Sequence, residues 1–87
     1  MPPRYRVEIA PSAQRELSKL PRNVQKRIDE RIRALAENPR PAGSRKLEGE
    51  DSFHRIRVGD YRIVYQVKDK VLLVLVIRIG HRREVYR

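Results

Sequence analysis

Residues 53–67, FHRIRVGDYRIVYQV, alternate apolar and polar side chains on both sides of a Gly-Asp pair. Two such runs separated by two turn-forming residues specify a β-hairpin. With Gly59-Asp60 as the loop, Val58 faces Tyr61, Arg57 faces Arg62, Ile56 faces Ile63, Arg55 faces Val64 and His54 faces Tyr65. Directly opposed residues share a face of the sheet. One face therefore carries His54, Ile56, Val58, Tyr61, Ile63 and Tyr65 and suits a core. The other gathers Arg55, Arg57 and Arg62, with no acidic residue among them on these strands. Like charges facing each other destabilise a strand pair. Such a face is either a solvated surface whose repulsion salt screens, or the seat of an anion. Guanidiniums on neighbouring strands are preorganised for phosphate.

The remaining pattern supplies what the hairpin packs against. RYRVEIA alternates, with Tyr5, Val7 and Ile9 on one face, and predicts a first strand. PSAQRELSKL sets Ala13, Leu17 and Leu20 at helical spacing behind Ser12 as N-cap. After Pro21, the segment 22–38 lines up Val24, Ile28, Ile32, Leu35 and Ala36 as an amphipathic helix closed by Asn38-Pro39. Residues 39–52 form a loop rich in turn residues that admits a short strand at Arg45–Leu47. Strands are expected at 53–58, 61–67 and 71–79, the last two joined by Asp69-Lys70 as a second two-residue turn. VLLVLVI at 71–77 is apolar at every position, which predicts a strand in the middle of the sheet, covered on both faces. The sum is one α+β domain over residues 1–87, in the order β-α-α-β-β-β. A helical hairpin packs on one face of a small, curved, mostly antiparallel sheet.

Composition narrows the function. Lys plus Arg is 21 against 11 Asp plus Glu, a net charge of +10. Sixteen of the 21 basic residues are arginine. A small domain this basic attracts polyanions, and arginine's planar fork grips phosphate oxygens two at a time. There is no cysteine and there are only two histidines, which leaves neither a disulfide framework nor a histidine-cysteine metal cluster. The start, MPPRYR, lacks the apolar core of a secretory signal, and 71–77 is too short to span a bilayer. A cytoplasmic protein without a membrane partner is the expectation.

The basic ending, GHRREVYR, runs on from the last strand and brings His81, Arg82, Arg83 and Tyr86 toward the arginine face. Arginines beside an aromatic hydroxyl suit RNA, because the ring stacks on an unpaired base and the hydroxyl exchanges a proton. Tyr86 also suits a plainer role, pinning a terminus to the core. His81 alone is a common surface residue, and His54 on the core face is a packing residue.

The element order, the segment KLEGEDSFHRIRVGDYRIVYQV and the ending VIRIGHRREVYR together resemble the RelE/ParE toxins of toxin–antitoxin modules, the RelE branch most closely. The resemblance implies a ribosome-dependent endoribonuclease that cuts messenger RNA in the A site without metal or cofactor. The substrate's 2′-OH attacks the adjacent phosphate and leaves a 2′,3′-cyclic phosphate and a 5′-OH. The family's basic strand positions fall on Arg55 and Arg57, its post-turn arginine on Arg62, its tail arginine on Arg82 or the adjacent Arg83, and its catalytic tyrosine on Tyr86. The strand positions are often lysine in RelE, and the tail here is shorter. Arginine is not deprotonated at working pH, so these side chains clamp charge rather than donate protons, and His81 is left as the candidate acid. The resemblance also implies an acidic antitoxin as partner, with operator DNA bound only through the toxin–antitoxin complex. Two other readings are a ParE-type gyrase poison acting by protein binding, and a non-enzymatic nucleic-acid-binding module.

Overall fold

The computed structural model describes residues 4–47 and 53–81. Five strands make one sheet: β1 (Arg6–Ile9), β2 (Arg45–Lys46), β3 (Phe53–Val58), β4 (Tyr61–Lys68) and β5 (Leu73–His81). Helices α1 (Pro11–Ser18) and α2 (Arg22–Ala34) lie between β1 and β2 in the chain. The sheet order is β1-β5-β4-β3-β2. Only the β1–β5 pair is parallel, so the sheet is mostly antiparallel and the fold is α+β as expected.

The helices begin where prolines preset the backbone. Pro11 stands at the first position of α1, where its missing N–H costs nothing. Ala10, not Ser12, is the N-cap residue, and its carbonyl accepts the Gln14 N–H at 2.9 Å. Proline's fixed φ starts the helix one residue early, and the Ser12 hydroxyl instead donates to the Ile77 carbonyl at 3.4 Å. Pro21 caps α2 in the same way, its carbonyl accepting Gln25 N–H at 2.9 Å. Gln25 Nε2 then reaches back to the Leu20 carbonyl at 2.8 Å and fixes the corner between the helices. Regular α2 stops at Ala34, short of the expected Asn38, because the last turn tightens: Leu35, Ala36 and Glu37 each donate to the carbonyl three residues back.

Ile28, Ile32 and Leu35 bring the stripe of α2 onto Ile56, Ile63, Tyr65, Val74, Val76 and Ile79 of the sheet, all at most 2 % exposed. Tyr5, Val7 and Ile9 pack at the edge of this core, as their alternation predicted. Central place belongs to β4 and not to β5: β4 is buried at five of its eight positions. Leu73, Leu75 and Ile77 of β5 are only partly buried, since the helices cover one face and leave these residues on the other. The β4–β5 register shifts between Val64 and Tyr65, which leaves Ile77 as the additional residue on β5.

The β4–β5 connection also departs from expectation. A two-residue turn of type I′ needs positive φ at both positions, which Asp69-Lys70 does not readily supply. The chain takes a 3-10 turn over Asp69–Val71 instead and turns back at Leu72, whose φ is 51°. Asp69 anchors this connection. It accepts Tyr5 Oη at 2.6 Å and the two Arg40 guanidinium nitrogens at 3.2 and 2.8 Å. Those bonds hold its carboxyl down at about 2, the arginine being the larger cause and the tyrosine the next.

Candidate nucleic-acid interface

The β3–β4 turn sets the register of the site. Gly59 has φ of 60° and Asp60 does not share the positive sign, the pattern of a type II′ turn with glycine first. The pairing is the one expected: Val58 with Tyr61, Arg57 with Arg62, Ile56 with Ile63, Arg55 with Val64 and His54 with Tyr65. His54 is buried and stacks on Tyr65 with centroids 5.7 Å apart, a core histidine.

Register also adds an arginine that sequence reasoning missed. Arg45 on β2 lies directly opposite Arg55 and therefore on the same face. Arg45, Arg55, Arg57 and Arg62 thus run across three adjacent strands. A β-turn delivers Arg45 to its place: the Ser44 N–H donates to the Pro41 carbonyl at 3.0 Å, and Gly43 takes φ of 90°. This is the backbone that a type II turn requires at its third residue. The loop is held from below by Tyr65, whose hydroxyl donates to the Pro39 carbonyl at 2.7 Å. Burial pushes the Tyr65 phenol above its ordinary value.

The four arginines are not equivalent. Arg45 and Arg57 are exposed and Arg55 is half-buried. With Gly43 they line an open hollow of about 390 Å³. Arg62 is 1 % exposed, and none of its guanidinium nitrogens has appreciable exposed surface. Its neighbour on β5 is Gly80, so the side chain lies between Arg57 and a strand position without a side chain. Register therefore brings the expected triangle together, while the open side of the face belongs to Arg45, Arg55 and Arg57.

His81 closes β5 opposite Tyr61, the rings edge to face with centroids 6.0 Å apart. Tyr61 packs against the helix-covered core, so His81, opposite it, shares that face and does not join Arg55, Arg57 and Arg62 as expected, although it ends the strand at the same end of the sheet as Arg57. Arg82, Arg83 and Tyr86, the tail candidates, lie outside the described residues. Arg27 of α2 reaches the same end: a Cβ on Gly59 would stand 3.2 Å from its Nη2. Among the described residues, Glu8, Asp29, Asp69 and Glu16 are engaged in the pairs Arg6–Glu8, Arg33–Asp29, Arg40–Asp69 and Arg78–Glu16. Among the described residues no group of three or more His, Asp or Glu side chains could hold a metal ion. No helix among them is long and apolar enough to cross a membrane.

Comparison with known proteins agrees with this geometry. A family model described as the ParE toxin of the type II toxin–antitoxin system parDE matches residues 7–86. The mRNA interferase toxin RelE of Escherichia coli is 33 % identical over 86 residues, covering 94 % of this chain and 90 % of its own. The crystal structure of the isolated E. coli RelE toxin superposes with a TM-score of 0.79 at 32 % identity, over 94 % of this chain and 90 % of that one. A chain of the archaeal RelE–RelB complex from Pyrococcus horikoshii gives 0.80 at 31 % identity, over 90 % of this chain and 94 % of that one. The family model carries the ParE name and the relatives carry the RelE name, two branches of one fold. With the whole sheet, both helices and nearly the full length matched, this chain belongs to the RelE/ParE superfamily of type II toxin–antitoxin toxins.

Proposed function

We propose that this RelE-like toxin is an endoribonuclease that cuts messenger RNA in the ribosomal A site and so arrests translation. The observation that carries the reading is the arginine face, with Arg45, Arg55 and Arg57 around an open hollow beside Arg62. A toxin that acts by gripping gyrase needs no such arginine cluster, and a relative matching most of this chain is named an mRNA interferase. Arg55 and Arg57 grip phosphates flanking the cut. Tyr86 takes the proton of the 2′-OH as general base. The 2′-oxygen bonds to phosphorus as the bond from phosphorus to the 5′-oxygen breaks, and the leaving oxygen takes its proton from solvent. Arg62 and Arg82, with Arg83 adjacent, stabilise the charge that builds on the five-coordinate phosphorus. Arg62, seated within the sheet, acts on that charge through a low dielectric.

The partner is an antitoxin, as in the solved RelE–RelB complexes of P. horikoshii and E. coli. A chain of net charge +10 fits an acidic one, and operator DNA is reached through that complex.

The test is Tyr86→Phe in a purified translation system, with messenger 5′-ends mapped. A positioned general base contributes roughly 10²–10⁴ in rate. Cleavage should slow within that range while ribosome binding persists. Cleavage at the wild-type rate would reduce Tyr86 to a terminal anchor, and loss of DNA supercoiling without messenger cuts would assign the chain to the gyrase poisons.

A further inference from the structure

We propose that Arg45, with Arg55 and the Gly43 turn, forms a second phosphate subsite that holds the RNA strand one backbone step away from the phosphate being cut. This rests on the nuclease reading above and adds to it a residue that the resemblance does not supply.

Three observations support it. Arg45 lies opposite Arg55, and two strand spacings across the sheet with a two-residue offset along it separate its backbone from that of Arg62, roughly 12 Å. The hollow is bordered by Arg45, Arg55, Arg57 and Gly43 and not by Arg62, so its centre lies over β2 and β3, to one side of the Arg57–Arg62 pair. Its volume is about 390 Å³ and it is open to solvent. One phosphate group displaces far less, so the space suits a nucleotide with its phosphate.

Charge points the same way. Arginine forks bordering one hollow from two neighbouring strands can meet more than one phosphate of a passing strand. The turn contributes a wall without side chains: a Cβ built on Gly43 meets no heavy atom within 4 Å, so the strand passes bare backbone there. The loop is fixed through the Ser44–Pro41 and Tyr65–Pro39 hydrogen bonds, which makes Arg45 a preorganised contact.

The experiment measures binding of a fluorescent single-stranded RNA oligomer to the Tyr86→Phe protein over a series of salt concentrations. Arg45→Ala is compared with Lys19→Ala, which removes the same charge at the exposed end of α1. Loss of one phosphate contact on a single strand lowers the slope of log affinity against log salt by about 0.7. Arg45→Ala should show that loss, Arg45→Lys should regain part of it, and Lys19→Ala should keep the parent slope. Equal slopes for Arg45→Ala and its parent, or an equal loss in Lys19→Ala, overturn the subsite and leave the nuclease reading standing. An Arg45→Ala protein that binds RNA normally but grips an acidic antitoxin peptide less tightly also overturns it, by making the hollow a protein site. A Tyr86→Phe parent that binds no RNA at any salt overturns the subsite, while the nuclease reading stands or falls on messenger cleavage in the translation system.

Discussion

Tyr65→Phe isolates a single oxygen at the centre of the structure. The ring stays in the core, where Tyr65 has no exposed surface, and the substitution removes the bond its hydroxyl donates to the Pro39 carbonyl at 2.7 Å together with its side-chain contact to Ser44. Pro39 is itself buried, so the carbonyl is left without that donor away from water. An unsatisfied buried acceptor costs about 1–3 kcal/mol, and we take about 2 kcal/mol as the expected loss. Domains of this length have on the order of 4–13 kcal/mol in total, so the loss is a substantial fraction. At about 4–8 °C per kcal/mol, Tm should fall by roughly 10 °C. With an m-value of about 1–2 kcal/mol per molar urea, the unfolding midpoint should fall by about 1–2 M while m stays constant. The phenol also adds a pH signature. Its folded-state value is raised by burial, so its contribution is complete below the ordinary tyrosine range and is lost as pH rises through that range. The gap between wild type and Phe should therefore narrow above about pH 10. Equilibrium urea unfolding at neutral and alkaline pH reads both effects. A midpoint change worth less than about 0.5 kcal/mol, the scale of an ordinary surface substitution, would show that water or a shifted loop satisfies Pro39 and that the hydroxyl does not hold the loop carrying Arg45.

Two further substitutions test the supports of the site. Asp69 is held at about 2 against an ordinary 3.8, so its bonds to Arg40 and Tyr5 stabilise the fold above about pH 4 and lose that effect as pH falls toward 2. Asp69→Asn should have the lower urea midpoint at neutral pH, and the gap should close between pH 4 and 2; a gap independent of pH contradicts the assignment. Gly59→Ala places a side chain at φ of 60° and 3.2 Å from Arg27 Nη2. It should cost about 1–2 kcal/mol from the left-handed backbone alone, and thermal unfolding unchanged from wild type would mean that the turn relaxes to another form.

The register of β3 on β4 was legible because turn chemistry and period-two alternation specify it together, down to Arg57 opposite Arg62. The helices were legible from their stripes, but their ends were not: Ser12 looked like a cap, yet the proline before it had already set the backbone. Arg45 escaped for a different reason. A two-residue strand has no period to read, so the segment could be placed without being assigned a partner. A signal was available in the Pro-Ala-Gly-Ser turn directly before it, which marks where the strand must start. The burial of Arg62 left no trace in its own strand, where alternation says which face a residue is on and nothing of what covers that face. The break after Lys68 misled because Asp-Lys resembles a turn in length while lacking the residue that makes one tight.

Glu16 has a consequence for self-association. Where β5 outruns β1, its outer edge would present bare backbone donors, but the Glu16 carboxylate accepts the Ile79 N–H at 3.0 Å and also meets Arg78. The sheet's two terminal strands are short, four residues in β1 and two in β2. A second chain seeking to extend the sheet by strand addition finds little ladder at either end, and at the exposed stretch of β5 it must first displace a charged side chain. The edges of the sheet thus resist a second copy of the chain even at high local concentration.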